Sequence, residues 1–284
     1  MPEVFEIKAR IDGLKSIHNI TYAMQIVTIS RLKRLGMQLQ KAKDSLKEVQ
    51  KILAYLVSEN QKLYDRIFKP VIDPKKEPIY ILFFSNRGFC GSFNQDILNH
   101  AMQKGAKQIL CLGKKAKENT RKLPEKSTQY FAPEKDTYLP QDASQLEEIV
   151  RKLRGDQEIY FVYFKFKSIV SQHVVVERFY PPSEDEVFGK EGPKLGVPHF
   201  LEPDQATVEK NVIDYYYFLK LMQALRDSSS SEFSQRFMLM KSAVDNVKEL
   251  SEELTLELNK ERQRGITQEL AEIIGTFKAL QKEK

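Results

Sequence analysis

The stretch SRLKRLGMQLQKAKDSLKEVQKILAYLV, Ser30–Val57, decides the fold. Within it Leu32, Leu35, Leu39, Ala42, Leu46, Val49, Leu53 and Leu56 recur at steps of 3, 4, 3, 4, 3, 4 and 3. A helical turn of 3.6 residues keeps all eight on one stripe, and an unbroken alternation of three and four is the seam of a coiled coil. Lys and Glu fill the remaining faces. Upstream, Ile7, Ile11, Leu14, Ile17, Ile20, Met24 and Val27 continue the stripe with phase slips. No proline falls between Glu3 and Lys69. Proline inside a helix costs about 3 kcal/mol, so this arm reads as one long helix, reaching about 100 Å at roughly 1.5 Å per residue.

The prolines draw the other boundaries. All 12 fall at Pro2 or between Pro70 and Pro203, which leaves Asp204–Lys284 as a second proline-free arm. There Phe233, Phe237, Met240, Val244, Val247, Leu254 and Leu258 form one helical track, and Ile266, Leu270, Ile273, Phe277 and Leu280 form another. Between the tracks lies Asn259–Gly265, where six of seven residues are polar or charged and the seventh is glycine. The run RDSSSSEF, Arg226–Phe233, is ambiguous. Ser229 and Glu232 could form a capping box that starts a new helix, but the absence of Gly and Pro favours one continuous helix with a polar turn.

The middle alternates strand and helix. PIYILFF (Pro78–Phe84) and QILCLG (Gln108–Gly113) read as short apolar strands, and DASQLEEIVRKLRG (Asp142–Gly155) as a helix stopped by glycine. EIYFVYFKFKS and HVVVERFY read as two strands joined by a turn. This order implies a mostly parallel sheet with an antiparallel edge. Tyr180–Asp204 reads as a Pro/Gly-rich return loop, with SEDE (Ser183–Glu186) as a solvated part of it. The expected fold is α+β: a long antiparallel two-helix coiled coil from the N- and C-terminal segments, with an inserted Rossmann-like α/β domain. The divisions are 1–69, 70–203 and 204–284.

If both arms start at the insert, they run antiparallel, and equal rise places Met1 opposite roughly residue 272. The last dozen residues then overhang as a lone helix. Ile273, Phe277 and Leu280 would be exposed there, a stripe that either frays or needs a sleeve from another protein. The polar breach at Asn259–Gly265 becomes a donor-rich collar on the shaft. Arg262 can make a two-pronged bond to a carboxylate, with Gln263 donating and accepting beside it. The cluster Arg31, Lys33 and Arg34 is either a solvated face or a surface for acidic loops of a partner.

Composition removes several function classes. No run of 18 apolar residues is present, so a membrane span is not expected. The N-terminus lacks the apolar core of a secretory signal. Two cysteines, Cys90 and Cys111, do not make a disulfide scaffold and fit a reducing compartment. A net charge of +6 is too mild to argue for nucleic acid. SNRGFCGSFNQDI (Ser85–Ile97) follows a strand and precedes a helix, and Gly88 and Gly91 could cradle a phosphate. It matches neither nucleotide fingerprint, however, and a structural turn is the simpler reading. Cys90 with His100 carries little weight as a nucleophile pair. His18, His100, His173 and His199 have no metal-ligand spacing. No catalytic constellation, metal site or cofactor site is expected.

IKARIDGLKSIHNITYAMQIVTISRLKRL resembles the opening helix of the gamma subunits of F-type ATP synthases. SNRGFCGSFNQDI is similar to that family's S-D-R-G-L-C-G-G-L-N segment. RFMLMKSAVDNVKELSEELTLELNKERQRGITQELAEIIGTFKAL resembles its run of R-M-x-A-M-x-x-A-x-x-N, N-x-x-R-Q and I-T-x-E-L-x-E-I. The likeness covers both arms and the core of the insert. There are departures: Asn86 replaces Asp, Phe89 and Phe93 replace Leu, and Ser92 replaces Gly. Tyr22 stands at an often basic position, VTIS precedes Arg31 in place of an alanine-rich stretch, and Arg264 and Gly265 replace small residues.

The resemblance implies a non-catalytic rotor shaft that transmits torque. Its partners would be a ring of alpha and beta subunits, the epsilon subunit and the membrane c-ring, at the cytoplasmic face of a bacterial inner membrane. The chain would enter this complex as a monomer. By the same likeness, Arg262 and Gln263 match the pair that bonds a loop of a beta subunit. Met24 matches a methionine on the shaft surface facing the ring, where Arg31 and Arg34 also lie. Ile273, Phe277 and Leu280 fall in the tip that turns in the ring's hydrophobic collar. The rival readings are a coiled-coil tether pairing between two chains, a gamma-like subunit of a specialised ATPase of the same class, and a nucleotide-dependent enzyme built on the Gly88–Gly91 turn.

Overall fold

The structure is a computed structural model that describes residues 2–121, 123–124, 128–133, 140–189 and 202–282, with side chains described for all of these except 2, 3, 140, 141, 143 and 277–282. In chain order the elements are α1 (Pro2–Glu59), α2 (Gln61–Phe68), β1 (Ile79–Phe83), α3 (Phe93–Gln103), β2 (Gln108–Leu112), α4 (Ala116–Asn119), β3 (Thr128–Phe131), α5 (Pro140–Leu153), β4 (Ile159–Phe166), β5 (Gln172–Tyr180), α6 (Glu184–Phe188) and α7 (Gln205–Lys282). They divide into two compact units, residues 1–28 with 237–284, and residues 29–236.

The larger unit is built on one five-stranded sheet in the order β3-β2-β1-β4-β5, parallel except for the antiparallel pair β4 and β5. Side chains alternate across a strand, so each central strand feeds two cores. Ile81, Phe83, Leu110, Leu112, Phe161 and Tyr163 face a layer containing Leu46, Leu53, Val150, Tyr216 and Leu221 from α1, α5 and α7. Tyr80, Leu82, Phe84, Ile109, Cys111, Val162 and Phe164 face Phe93, Ile97 and Ala101 of α3 and Ala116 of α4. At the end of β2, Gly113 (φ 109°) sits where a Cβ would lie 2.4 Å from the Phe84 carbonyl oxygen, so only glycine fits. β3 was not legible in the sequence; Tyr130 and Phe131 are only partly covered, and a four-residue edge strand carries little periodicity.

The seam of Ser30–Val57 is buried as its spacing predicts, with only Ala42 half-exposed. In this unit α1 and α7 run antiparallel. Arg31 lies over the Phe233 ring, Lys43 pairs with Asp227 at 3.3 Å, and the Asn60 side chain donates to Glu209 at 2.9 Å. α1 stops at Glu59, short of the expected residue 69. Asn60 turns the chain in an extended conformation, and its side-chain oxygen accepts from the backbone N–H groups of Lys62 and Leu63, which makes it the N-cap of α2. The acidic run Ser183–Glu186 is not a free loop. It starts α6, and Glu186 accepts from Lys220 at 2.7 Å and from the Tyr216 hydroxyl at 2.9 Å. Residues 190–201 of the expected return loop lie outside the described residues.

In the smaller unit the stripe on α1 has no phase slip. Ile17, Ile20 and Val27 are exposed, Met24 is half-buried beside the seam, and the seam itself runs through Ile7, Ile11, Leu14, His18, Thr21, Gln25 and Thr28. These are steps of 4, 3, 4, 3, 4 and 3, so the seam is regular and its occupants turn polar. Thr28 is buried because its hydroxyl donates to the Met24 carbonyl at 2.7 Å. On α7 the seam runs through Met240, Val244, Val247, Ser251, Leu254, Leu258 and Glu261, again alternating by four and three, with Phe237 and Ala243 half-buried beside it. Covering stops there: every residue from 262 to 276 is exposed. The bare length is therefore longer than the dozen residues expected from equal rise.

Candidate functional site

Two stretches of α7 are the candidate sites, and the first lies in the larger unit. In open α/β sheets, ligands enter the crevice at the carboxyl ends of the strands where the order reverses. Here that point is β1 and β4, and α7 itself fills it. Asp227 accepts from the Phe166 amide at the end of β4 at 3.3 Å. Ser228 donates to the Phe83 carbonyl at the end of β1 at 3.3 Å, and Ser231 donates to the Phe164 carbonyl at 3.4 Å. Small hydroxyls let a helix backbone approach the strand ends while satisfying their carbonyls. This accounts for Ser228 and Ser231, and α7 passes through the run unbroken.

One turn on, Glu232 and Arg236 form a buried ion pair at 2.6 Å. Arg236 reaches the loop after β1, donating to the Gly88 carbonyl at 3.1 Å and the Arg87 carbonyl at 3.2 Å. The guanidinium also lies 4.9 Å from the centre of the Phe233 ring. Burial pushes the Glu232 carboxyl up, while Arg236 and the backbone amides of Asn86 and Arg87 pull it back down. Burial likewise raises Asp227, against the opposing pull of Lys43 and the Phe166 amide.

This arrangement answers the phosphate question. The amides of Asn86 and Arg87, which a phosphate would need, already bond the Glu232 carboxylate. The rest of the turn is structural. Asn94 accepts from the Ser85 amide and donates to its hydroxyl, each at 2.9 Å. Phe89 (φ 59°) and Gly91 (φ 61°) hold the left-handed bends. Cys90 is buried and its thiol is pushed up, and Cys111 is pushed up to about 12, so neither is a ready thiolate. His100 is exposed, its Nδ1 set against the Asp96 carbonyl. Among the described residues, no group of three or more His, Cys, Asp or Glu side chains is placed to hold a metal.

The second stretch is the bare end of α7 in the smaller unit. Arg262 and Gln263 are exposed neighbours there. Arg264, not Arg262, is tied down, donating to Glu261 at 2.6 Å. Arg262 forms no ion pair among the described residues, which leaves its guanidinium fork unused among them. Ile266, Leu270, Ile273 and Ile274 are all more than half exposed, Ile273 by 65%. Phe277 and Leu280 lie on the last turns of α7, with side chains outside the described residues. Elsewhere, Met24 is half-buried, Arg31 is half-buried over the Phe233 ring, and Arg34 is exposed. Arg262, Gln263 and Ile273, expected from the sequence as contact residues, lie on the exposed stretch of α7. The sequence reading missed Asp227, Ser228, Ser231, Glu232 and Arg236, although four serines between two acidic residues on a long helix were the available signal.

The family model described as ATP synthase matches residues 3–280. The ATP synthase gamma chain of Fusobacterium nucleatum is 30% identical over 294 residues, covering 99% of this chain and all of the relative. That of Bacteroides fragilis is also 30% identical, over 292 residues, covering 97% of this chain and 99% of the relative. Among solved structures, a chain of the Euglena gracilis mitochondrial ATP synthase superposes with a TM-score of 0.70 at 20% identity, over 98% of this chain and 95% of that one. This likeness speaks to the fold. With the match running through both long helices and the sheet between them, the chain belongs to the gamma-subunit family of ATP synthase, whose members are non-catalytic subunits of the central stalk.

Proposed function

We propose that the chain is the torque-carrying shaft of a bacterial ATP synthase, peripheral to the inner membrane on its cytoplasmic side. The carrying observation is the bare end of α7: residues 262–276 are exposed without exception, yet four of them are large aliphatic side chains facing outward. A stripe of that kind calls for a surrounding sleeve. A ring of alpha and beta subunits is that sleeve. Ile273, Phe277 and Leu280 turn in its collar, Arg262 and Gln263 bond a loop of a beta subunit, and Met24, Arg31 and Arg34 face the ring. The insert meets the epsilon subunit and the membrane c-ring. The working parts are the arm 1–69, the insert 70–203 and the arm 204–284.

A rotor must also pass twist from helix to base. The crevice filled by Asp227–Arg236 supports this, since it ties α7 to two strand ends and to the loop after β1 by side chains that are themselves buried. A stiff element with fixed ends couples distant sites without chemistry of its own. Each identical partner meets a different face of the shaft and is biased toward a different state. Co-purification tests the assignment: the tagged chain is expected to elute with a three-plus-three ATPase ring, and elution as a free chain or a homodimer contradicts it.

A further inference from the structure

In the larger unit, a cavity of about 380 Å³ opens among α2, α5, the end of β5 and the first turns of α7. Four cations line it, Arg66, Arg151, Arg154 and Lys210, against one carboxylate, Asp214. Arg154 is fixed: its side chain is nine-tenths buried, it donates to Asp214 at 3.0 Å, and its guanidinium lies 4.1 Å from the centre of the Tyr217 ring. That pair consumes the carboxylate. Arg66, Arg151 and Lys210 form no ion pair among the described residues, and they come from three separate helices. All three are exposed at the rim of the cavity, where Arg151 also acts on Glu148 of its own helix, and the excess of positive charge around one concave surface favours an anion. Tyr180, whose hydroxyl donates to the Gly155 carbonyl at 3.3 Å, and Tyr217 form the apolar side of the cavity.

We propose that this cavity is a binding site for a phosphate group, either a free phosphate or the phosphate of a lipid headgroup. Arginine forks match phosphate oxygens two at a time, and three cations arriving from different helices can surround a tetrahedral anion in a way a planar carboxylate does not use. The volume accepts a phosphate with a short polyol attached. The cavity lies where β5 ends and α7 begins, at the opposite end of the sheet from the crevice that α7 fills. The proposal stands on the cavity and does not depend on the rotor assignment.

The full-length chain would be titrated calorimetrically with inorganic phosphate and with glycerol 3-phosphate. It would also be floated with vesicles of phosphatidylcholine, with or without phosphatidylglycerol. The double variant Arg66→Gln, Arg151→Gln leaves the Arg154–Asp214–Tyr217 contacts intact, and Lys8→Gln, Lys41→Gln removes the same charge elsewhere. The expected result is saturable binding of glycerol 3-phosphate, weakened about tenfold or more by the cavity variant and unchanged by the control. Retention on phosphatidylglycerol vesicles with the same variant dependence assigns the site to a lipid headgroup. Binding of the soluble phosphates alone assigns it to a free phosphate. The absence of saturable binding, or binding that the two variants affect alike, overturns the proposal.

Discussion

Helix α7 carries two polar stretches that look alike in the sequence and end up in opposite surroundings. Asp227–Arg236 is buried, and its charged groups bond strand ends, loop carbonyls or each other. From Arg262 to Thr276, polar and apolar side chains alike are exposed. The first stretch holds the chain to itself, and the second makes no such contact among the described residues. The difference predicts that substitutions in the first act on folding, and substitutions in the second act on assembly and rotation.

Arg236→Ala should have the largest effect. It strands the Glu232 carboxylate in the crevice, and removing one partner of a buried pair costs about 3–5 kcal/mol. Urea unfolding of the isolated chain measures this, and a loss below one kcal/mol would mean the pair does not hold the crevice together. Ser231→Leu should cost about 1–3 kcal/mol by overpacking the contact with the end of β4. Ser230 provides the contrast: its hydroxyl is buried with no partner among the described residues. Ser230→Ala should therefore be neutral or mildly stabilising.

A smaller effect is expected from pH. The Asp227 carboxyl is raised in the folded chain. A carboxyl raised on folding contributes stability that is fully present below its unfolded value and is lost as pH rises through its folded value. Asp227→Asn removes that dependence. The stability of the parent chain relative to the variant should rise on acidification from neutral toward the ordinary carboxylate range, and a flat difference would contradict the burial of this group.

At the bare end the expected effect on stability is close to nothing. Leu270→Asp with Ile273→Asp should change unfolding by no more than about 0.5 kcal/mol, as exposed substitutions do. The same pair should abolish co-elution with the ATPase ring. Arg262→Glu should leave both stability and assembly largely intact and lower the torque in a single-molecule rotation assay.

The larger outlines were legible because they rest on period and proline. The seam from Leu32 to Leu56, the strands β1, β2, β4 and β5, and the exposed tip all follow from spacing. What escaped was decided by partners distant in the chain. Ile17, Ile20 and Val27 drew the seam off course because they are apolar. The true occupants, His18, Thr21, Gln25 and Thr28, are polar, and only the position of the facing helix identifies them. The break at Asn60 depends on a cap that also reaches Glu209, far along the chain. The serine run reads as a weak point in isolation; Ser228 and Ser231 answer carbonyls of β1 and β4, which no local pattern reveals.

The account turns on twist reaching the sheet through the filled crevice, and a labelled rotor measures that directly. Val170, 75% exposed at the turn between β4 and β5, accepts a cysteine for a bead, while Cys90 and Cys111 are buried. With the assembled ring fixed to glass and supplied with ATP, a bead on Val170→Cys should turn in one direction in step with hydrolysis. Steady hydrolysis with the bead at rest would contradict the account.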